Sequence, residues 1–131
     1  MAKGGQEHTR AQMLIRDYFR AAGMIAVSEG YIGKHVDVLV YDPSTREVTA
    51  IEYQTTGANV LRNILTDFQA GCHRVVVVSS SPVVLQRIQW VTVRALNAKL
   101  YSMLEFRLLK DFVPLGDEKQ LINIAEENQP E

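Results

Sequence analysis

The chain has 131 residues, 47% hydrophobic and 22% charged, which is enough apolar content for one independently folding domain. Its formal net charge of -1 offers no basic excess to signal nucleic acid, although a bound cation would add local positive charge that this balance omits. A single cysteine, Cys72, excludes a disulfide framework or an all-cysteine zinc centre and fits a reducing, cytoplasmic setting.

No apolar run approaches the roughly 20 residues of a membrane span. Met1 to Gly5 is not followed by the apolar stretch of a signal peptide. Residues 1–6 are small, polar and glycine-rich and read as a flexible leader. From Glu7 to Ala22, Met13, Leu14, Tyr18, Phe19 and Ala22 recur at helical spacing, and Gly23 ends the helix. A first strand is expected from Ile25 to Ser28, then a turn through Glu29–Lys34. A second strand runs from His35 to Tyr41, and a third from Glu47 to Gln54. The turn between them, Asp42-Pro43-Ser44-Thr45, has an acid to cap it and a proline to fix φ, so the two strands form an antiparallel hairpin.

After the break at Thr55-Thr56-Gly57, a helix is expected from Ala58 to Ala70, capped by Gly71. Strand four, His73 to Ser79, carries four consecutive valines, the mark of a strand covered on both faces and paired in parallel. Ser80-Ser81-Pro82 opens a third helix running to Ala98, and a last strand falls within Tyr101–Leu109. Residues 114–131 form an acidic tail in which Leu121, Ile122, Ile124 and Ala125 could dock as a short helix or fray. The order α-β-β-β-α-β-α-β describes an α/β domain over residues 7–113 with a mixed sheet flanked by helices. No Gly-x-Gly-x-x-Gly or Walker A run is present, which argues against dinucleotide and P-loop binding.

Two carboxylates interrupt apolar strands. Asp37 lies within His35–Tyr41, and Glu52 lies two residues before Gln54. Regular alternation puts His35, Asp37 and Leu39 on one face of their strand, and Ala50, Glu52 and Gln54 on one face of theirs. Hairpin neighbours on a shared face approach within about 5 Å, so Asp37 and Glu52 are expected to converge. Mg2+ takes one or two carboxylates and keeps several waters. A Mg2+ ion, with Mn2+ as substitute, would then be held by Asp37, Glu52 and the backbone carbonyl of Tyr53. The alternative is that each acid pairs with Lys34, Arg46 or Arg74.

The pattern Asp-x14-Glu-x-Gln on a hairpin, followed by a helix and a buried strand, resembles the PD-(D/E)XK superfamily of restriction-endonuclease-like nucleases, over roughly residues 7 to 90. The N-terminal part is similar to small members such as archaeal Holliday junction resolvases. The resemblance implies a restriction-endonuclease-like fold, Mg2+-dependent DNA cleavage and a homodimer. It casts Asp37 and Glu52 as metal ligands, Gln54 as the residue that positions water or phosphate, and Glu7 as a helper from the first helix. Gln54 stands where the family usually has lysine, and a plain strand-end polar residue is the competing reading. Taken by itself, Glu7 reads first as a helix N-terminal acid favoured by the macrodipole. The Thr55-Thr56 segment and the Asn59–Ile64 helix start resemble modules of mobile-element and DNA-transfer proteins, sometimes associated with ATPases. Arg62, with Lys34 and Arg10, would contact phosphate. A catalytically silent module of the same fold, binding nucleic acid or protein, is the alternative function. A small-ligand domain using Ser79-Ser80-Ser81 stands behind both. His8 and His73 are read as surface residues. Trp90 and Ile88 are read as core or dimer-interface residues rather than a base-stacking platform, and Cys72 as a small buried hydrophobe.

Overall fold

The computed structural model describes residues 3–114 and 116–127. Helix α1 (Lys3–Ala21) leads into strands β1 (Ile25–Tyr31), β2 (His35–Tyr41) and β3 (Val48–Tyr53). There follow α2 (Val60–Gln69), β4 (Arg74–Ser79), α3 (Pro82–Ala95), α4 (Ala98–Ser102), β5 (Leu104–Leu108), a 3-10 turn (Leu109–Phe112) and α5 (Lys119–Glu127). The five strands form one mixed sheet in sequential order. β1–β2 and β2–β3 are antiparallel, and β3–β4 and β4–β5 are parallel. Among the described residues no helix is long and apolar enough to cross a membrane.

Each face of the sheet has its own apolar layer. On one, Ala11, Leu14 and Ile15 of α1, Leu109 and Phe112 of the 3-10 turn and Ile124 of α5 pack on Val38, Val40, Ile51, Val76 and Val78. On the other, Val60 and Ile64 of α2 and Leu85 and Ile88 of α3 pack on Ala50, Val75 and Val77. The valines of β4 thus alternate between the layers, as a strand covered on both faces requires.

The helix ends carry most of the departures from the sequence expectation. α1 begins at Lys3, within the expected leader, and the Thr9 hydroxyl donates to the Gly5 carbonyl inside that first stretch. Its inward stripe is Glu7, Ala11, Leu14 and Ile15, whereas Met13 and Tyr18 are exposed. It stops at Gly23 (φ 87°), where Met24 N–H donates to Phe19 and Gly23 N–H to Arg20. That pair of bonds is a Schellman cap, which needs a left-handed residue at the glycine position. α2 starts at Val60 rather than Ala58, because Asn59 adopts a left-handed conformation (φ 62°). The third helix ends at Ala95 rather than Ala98, and Asn97, whose side chain accepts from Leu100 N–H at 2.8 Å, caps a separate short helix, α4, that was not expected. Trp90 is 62% exposed, so it belongs to no core, whereas Ile88 is buried. The docked-helix option for the tail is realised at Leu121 and Ile124, while the side chain of Ala125 lies outside the described residues.

β1 runs three residues further than Ser28 and stays paired with β2 to its end, Tyr31 opposite His35. Leu39 closes over Gly30: a Cβ built there would lie 2.5 Å from the Leu39 Cβ. Gly30→Ala must therefore shift backbone or Leu39, and is expected to lower unfolding free energy by about 1–3 kcal/mol in urea denaturation.

Candidate active site

The site is built where β2 leaves β3. Their pairing runs from Tyr41–Val48 to Val38–Ile51. One step further the ladder is broken by a side chain: Tyr53 N–H donates to Asp37 Oδ2 at 2.7 Å. The end of β2 stays with β1 instead. Alternation fails at the same place. Val36 packs in the α2–α3 layer, but Val38, two residues on, packs in the α1 layer. The expected common face of His35, Asp37 and Leu39 is therefore interrupted at Asp37. His35 is exposed, with its ring 5.0 Å from that of Tyr31.

Asp37 is held from α1. His8 Nε2 lies 3.0 Å from Asp37 Oδ2, and Gln12 Nε2 donates to Asp37 Oδ1 at 3.3 Å and also to Glu29. The hydrogen bond to Asp37 raises the His8 pKa above its ordinary value against the opposing effect of burial, with the charges of Asp37, Glu29 and Glu7 adding to it. His8 also meets Tyr53 edge-on, with ring centroids 5.4 Å apart. Tyr53 OH donates to Glu7 Oε2 at 2.6 Å, fastening α1 to β3, while Glu7 Oε1 is buried without a hydrogen-bond donor. Burial, and then the Glu7 carboxylate, hold the Tyr53 phenol well above its ordinary pKa.

Glu52 faces α2. Its carboxyl lies beside that of Asp67, which is fully buried. Lys34, from the turn between β1 and β2, reaches both acids, with Nζ 2.8 Å from Asp67 Oδ1 and 3.6 Å from Glu52 Oε2. The ammonium also donates to Thr66 Oγ1 at 3.0 Å and to the Asn63 carbonyl at 3.4 Å. Burial first, and then Asp67 and the charge of Asp37, push the Glu52 carboxyl far above the usual carboxylate range. Burial alone would lower the Lys34 pKa, but its contacts with Asp67 and Glu52 raise it. One ammonium beside two buried carboxyls, with Glu52 holding on to its proton, makes a cluster of low net charge, the form that costs least in a dry environment.

Asp37 and Glu52 thus lie within electrostatic reach of each other, each on its own set of partners. Gln54 is buried, and its N–H donates to the Val78 carbonyl at 2.8 Å, continuing the β3–β4 pairing. Arg62 is exposed at the start of α2. Arg10 lies on α1 in a groove with Gln120 and Ile124 of α5, so the two arginines do not line one surface. Lys34 spends its ammonium inside the protein. Ser79 Oγ accepts from Ser81 N–H, and Ser81 Oγ from Val84 N–H, so two of the three serines brace the start of α3. The Cys72 thiol is buried and pushed up to about 11, chiefly by burial. The Nδ1 atom of exposed His73 accepts from Val48 N–H.

Four participants escaped the sequence reading: His8, Gln12, Glu29 and Asp67. Asp67 had a visible signal. It follows Val60 and Ile64 at i+7 and i+3 on the buried stripe of α2, where an acid needs a partner. His8 and Gln12, four apart, share a helix face with this site. Glu29, in left-handed conformation (φ 54°), had none.

The donor set suits a hard divalent cation in kind, since it consists of carboxylate oxygens, one of which, Glu52 Oε2, is buried with no hydrogen bond. Among the described residues no group of three or more His, Cys, Asp or Glu is arranged to hold a metal. The rest of any coordination shell would have to be water and substrate oxygens. No protein-family model matches the chain, and no curated protein matches it.

Two outcomes test these electrostatics. Lys34→Met strands two buried acids and is expected to cost about 3–5 kcal/mol of stability, read by urea denaturation. Glu52 and His8 both bind their protons more tightly folded than unfolded. The native state therefore holds more protons than the unfolded chain above the unfolded pKa values, and stability falls as pH rises from 4.5 toward about 10, where folded Glu52 gives up its proton. Glu52→Gln is expected to make that decline shallower, in denaturation curves across the same range.

Proposed function

We propose that the protein is a divalent-metal-dependent endonuclease of the restriction-endonuclease-like fold, acting on DNA in a DNA-processing or mobile-element setting. One observation carries this reading. Asp37 breaks the ladder between two strands, and on the next strand Glu52 Oε2, buried without a hydrogen bond and 3.6 Å from the Lys34 ammonium, feels the Asp37 charge. A divalent cation arriving there would displace the proton that burial holds on Glu52 and give the two acids a common partner.

Asp37 and Glu52 would hold Mg2+ or Mn2+, with the Tyr53 carbonyl as a further ligand. Bound there, the ion supplies a polarised phosphate and a more acidic water. The protein's own groups do the rest. Gln54 is the neutral donor and acceptor that orients the water or touches the phosphate. His8, which Asp37 makes a stronger base, is placed to hold a proton at Nε2. Glu7 and Gln12 fix the positions of Tyr53 and Asp37. Cutting both strands of a duplex calls for two copies, and the exposed Ile25, Val27 and Tyr31 on edge strand β1 offer a surface for the second.

A second reading, a silent module of this fold that binds nucleic acid or a protein, is favoured by Lys34. Its ammonium already neutralises Glu52 and Asp67. Plasmid and branched-DNA cleavage, assayed with Mg2+ and Mn2+, separates the two. The expected result is metal-dependent nicking that falls to background in Asp37→Asn, together with Mn2+ binding by calorimetry that Asp37→Asn weakens. DNA binding without cleavage and without a calorimetric metal site would establish the silent module.

A further inference from the structure

We propose that the outer face formed by α2 and α3 binds a single-stranded segment of nucleic acid, with Trp90 as a stacking platform and Arg62, Arg87 and Arg94 as phosphate contacts. α3 buries Leu85, Ile88 and Thr92. Its opposite side carries Val83, Arg87, Trp90 and Arg94 at i, i+4, i+7 and i+11, which is one stripe along the helix. All four are exposed, with Val83 at 63% and Trp90 at 62%. An indole displayed this far on a helix centre, with a guanidinium one turn away on either side, joins a π surface to fixed positive charge. Such a combination suits unpaired bases and their phosphates.

The stripe continues into a groove of about 370 Å³ between α3 and the start of α2, with Arg62 and Arg87 in its walls beside Thr56, Asn59 and Val91. Thr56 lies only two residues beyond Gln54, so the groove opens next to the end of β3. Charge is arranged to leave this face cationic. Arg16, Arg74 and Arg107 each pair with a carboxylate. Among the described residues Arg62, Arg87 and Arg94 have no such partner. The one acid in α2 and α3 together is Asp67, fully buried and bound to Lys34. A chain of net charge -1 therefore shows exposed arginines and no exposed acid along these two helices.

The same charges weigh against a second copy as occupant. A two-fold contact centred on the stripe would set Arg87 and Arg94 near their own equivalents, with no carboxylate to relieve them. Duplex DNA offers phosphates but keeps its base faces stacked, and so leaves the indole unused. The proposal does not rest on the carboxylate site being active.

Trp90 is the chain's only tryptophan, so its emission reports on this face alone. The experiment titrates the full chain with oligothymidylate and oligouridylate in EDTA, which stops any metal-dependent cutting. Saturable quenching is expected with at least one of the two, together with about tenfold weaker binding of a labelled oligonucleotide by Trp90→Ala. Arg87→Gln and Arg94→Gln are expected to flatten the salt dependence, while circular dichroism melts of all three variants stay at wild type. Absence of quenching at low salt would overturn the proposal, as would binding indifferent to Trp90→Ala or a duplex competing equally well. A dimer in sedimentation that Trp90→Ala dissolves would assign the face to a second copy instead.

Discussion

The Asp37 carboxylate takes the place of a backbone acceptor for Tyr53 N–H, and the rest of the molecule is arranged around that substitution. A sheet ladder is continuous unless something satisfies the groups that leave it. Here a side chain does so, and β2 can follow β1 away from β3 without orphaning the amide. The charge-assisted bond also fixes the acid, since its two oxygens are then taken up from α1 by His8 and Gln12. The first helix is therefore tied to the sheet through polar contacts at this end and through Ala11, Leu14 and Ile15 at the other.

The far side of β3 solves a different problem. Glu52 points into the α2 layer, where an ion without company is costly. Asp67 and Lys34 share the burden, and Lys34 reaches them from the turn between β1 and β2. The cluster joins a hairpin turn, a central strand and a helix, so local geometry and protonation are coupled across three elements. Any cation that takes up Glu52 competes with an ammonium already in place. For this reason the carboxylate pair and the lysine are best understood as one system.

The two ends of α2 face different tasks. Its Asp67 is internal and neutralised, whereas its Arg62 opens outward next to Arg87. One short helix thus separates the acidic interior from a basic surface, and the loop Thr55–Gly57 connects the two. Gly57 (φ 86°) permits this connection, because it passes close to Ile88 of α3 in a backbone conformation that L side chains resist.

The sequence by itself determined the element types and the pairing of the hairpin. Strand alternation, the Asp42–Thr45 turn, the four valines of β4 and the glycine stops are local signals, and they act over a few residues. It also singled out Asp37 and Glu52, because an acid within an apolar strand is anomalous wherever it occurs. Asp67 was legible in principle from its place on the buried stripe of α2. Only the tertiary structure decided that alternation breaks at Asp37, that Lys34 turns toward Glu52 and Asp67 and that His8 pairs with Asp37. It likewise decided that Trp90 stays on the surface. Each of these depends on which distant segment arrives opposite the residue, and periodicity within a segment carries no record of that.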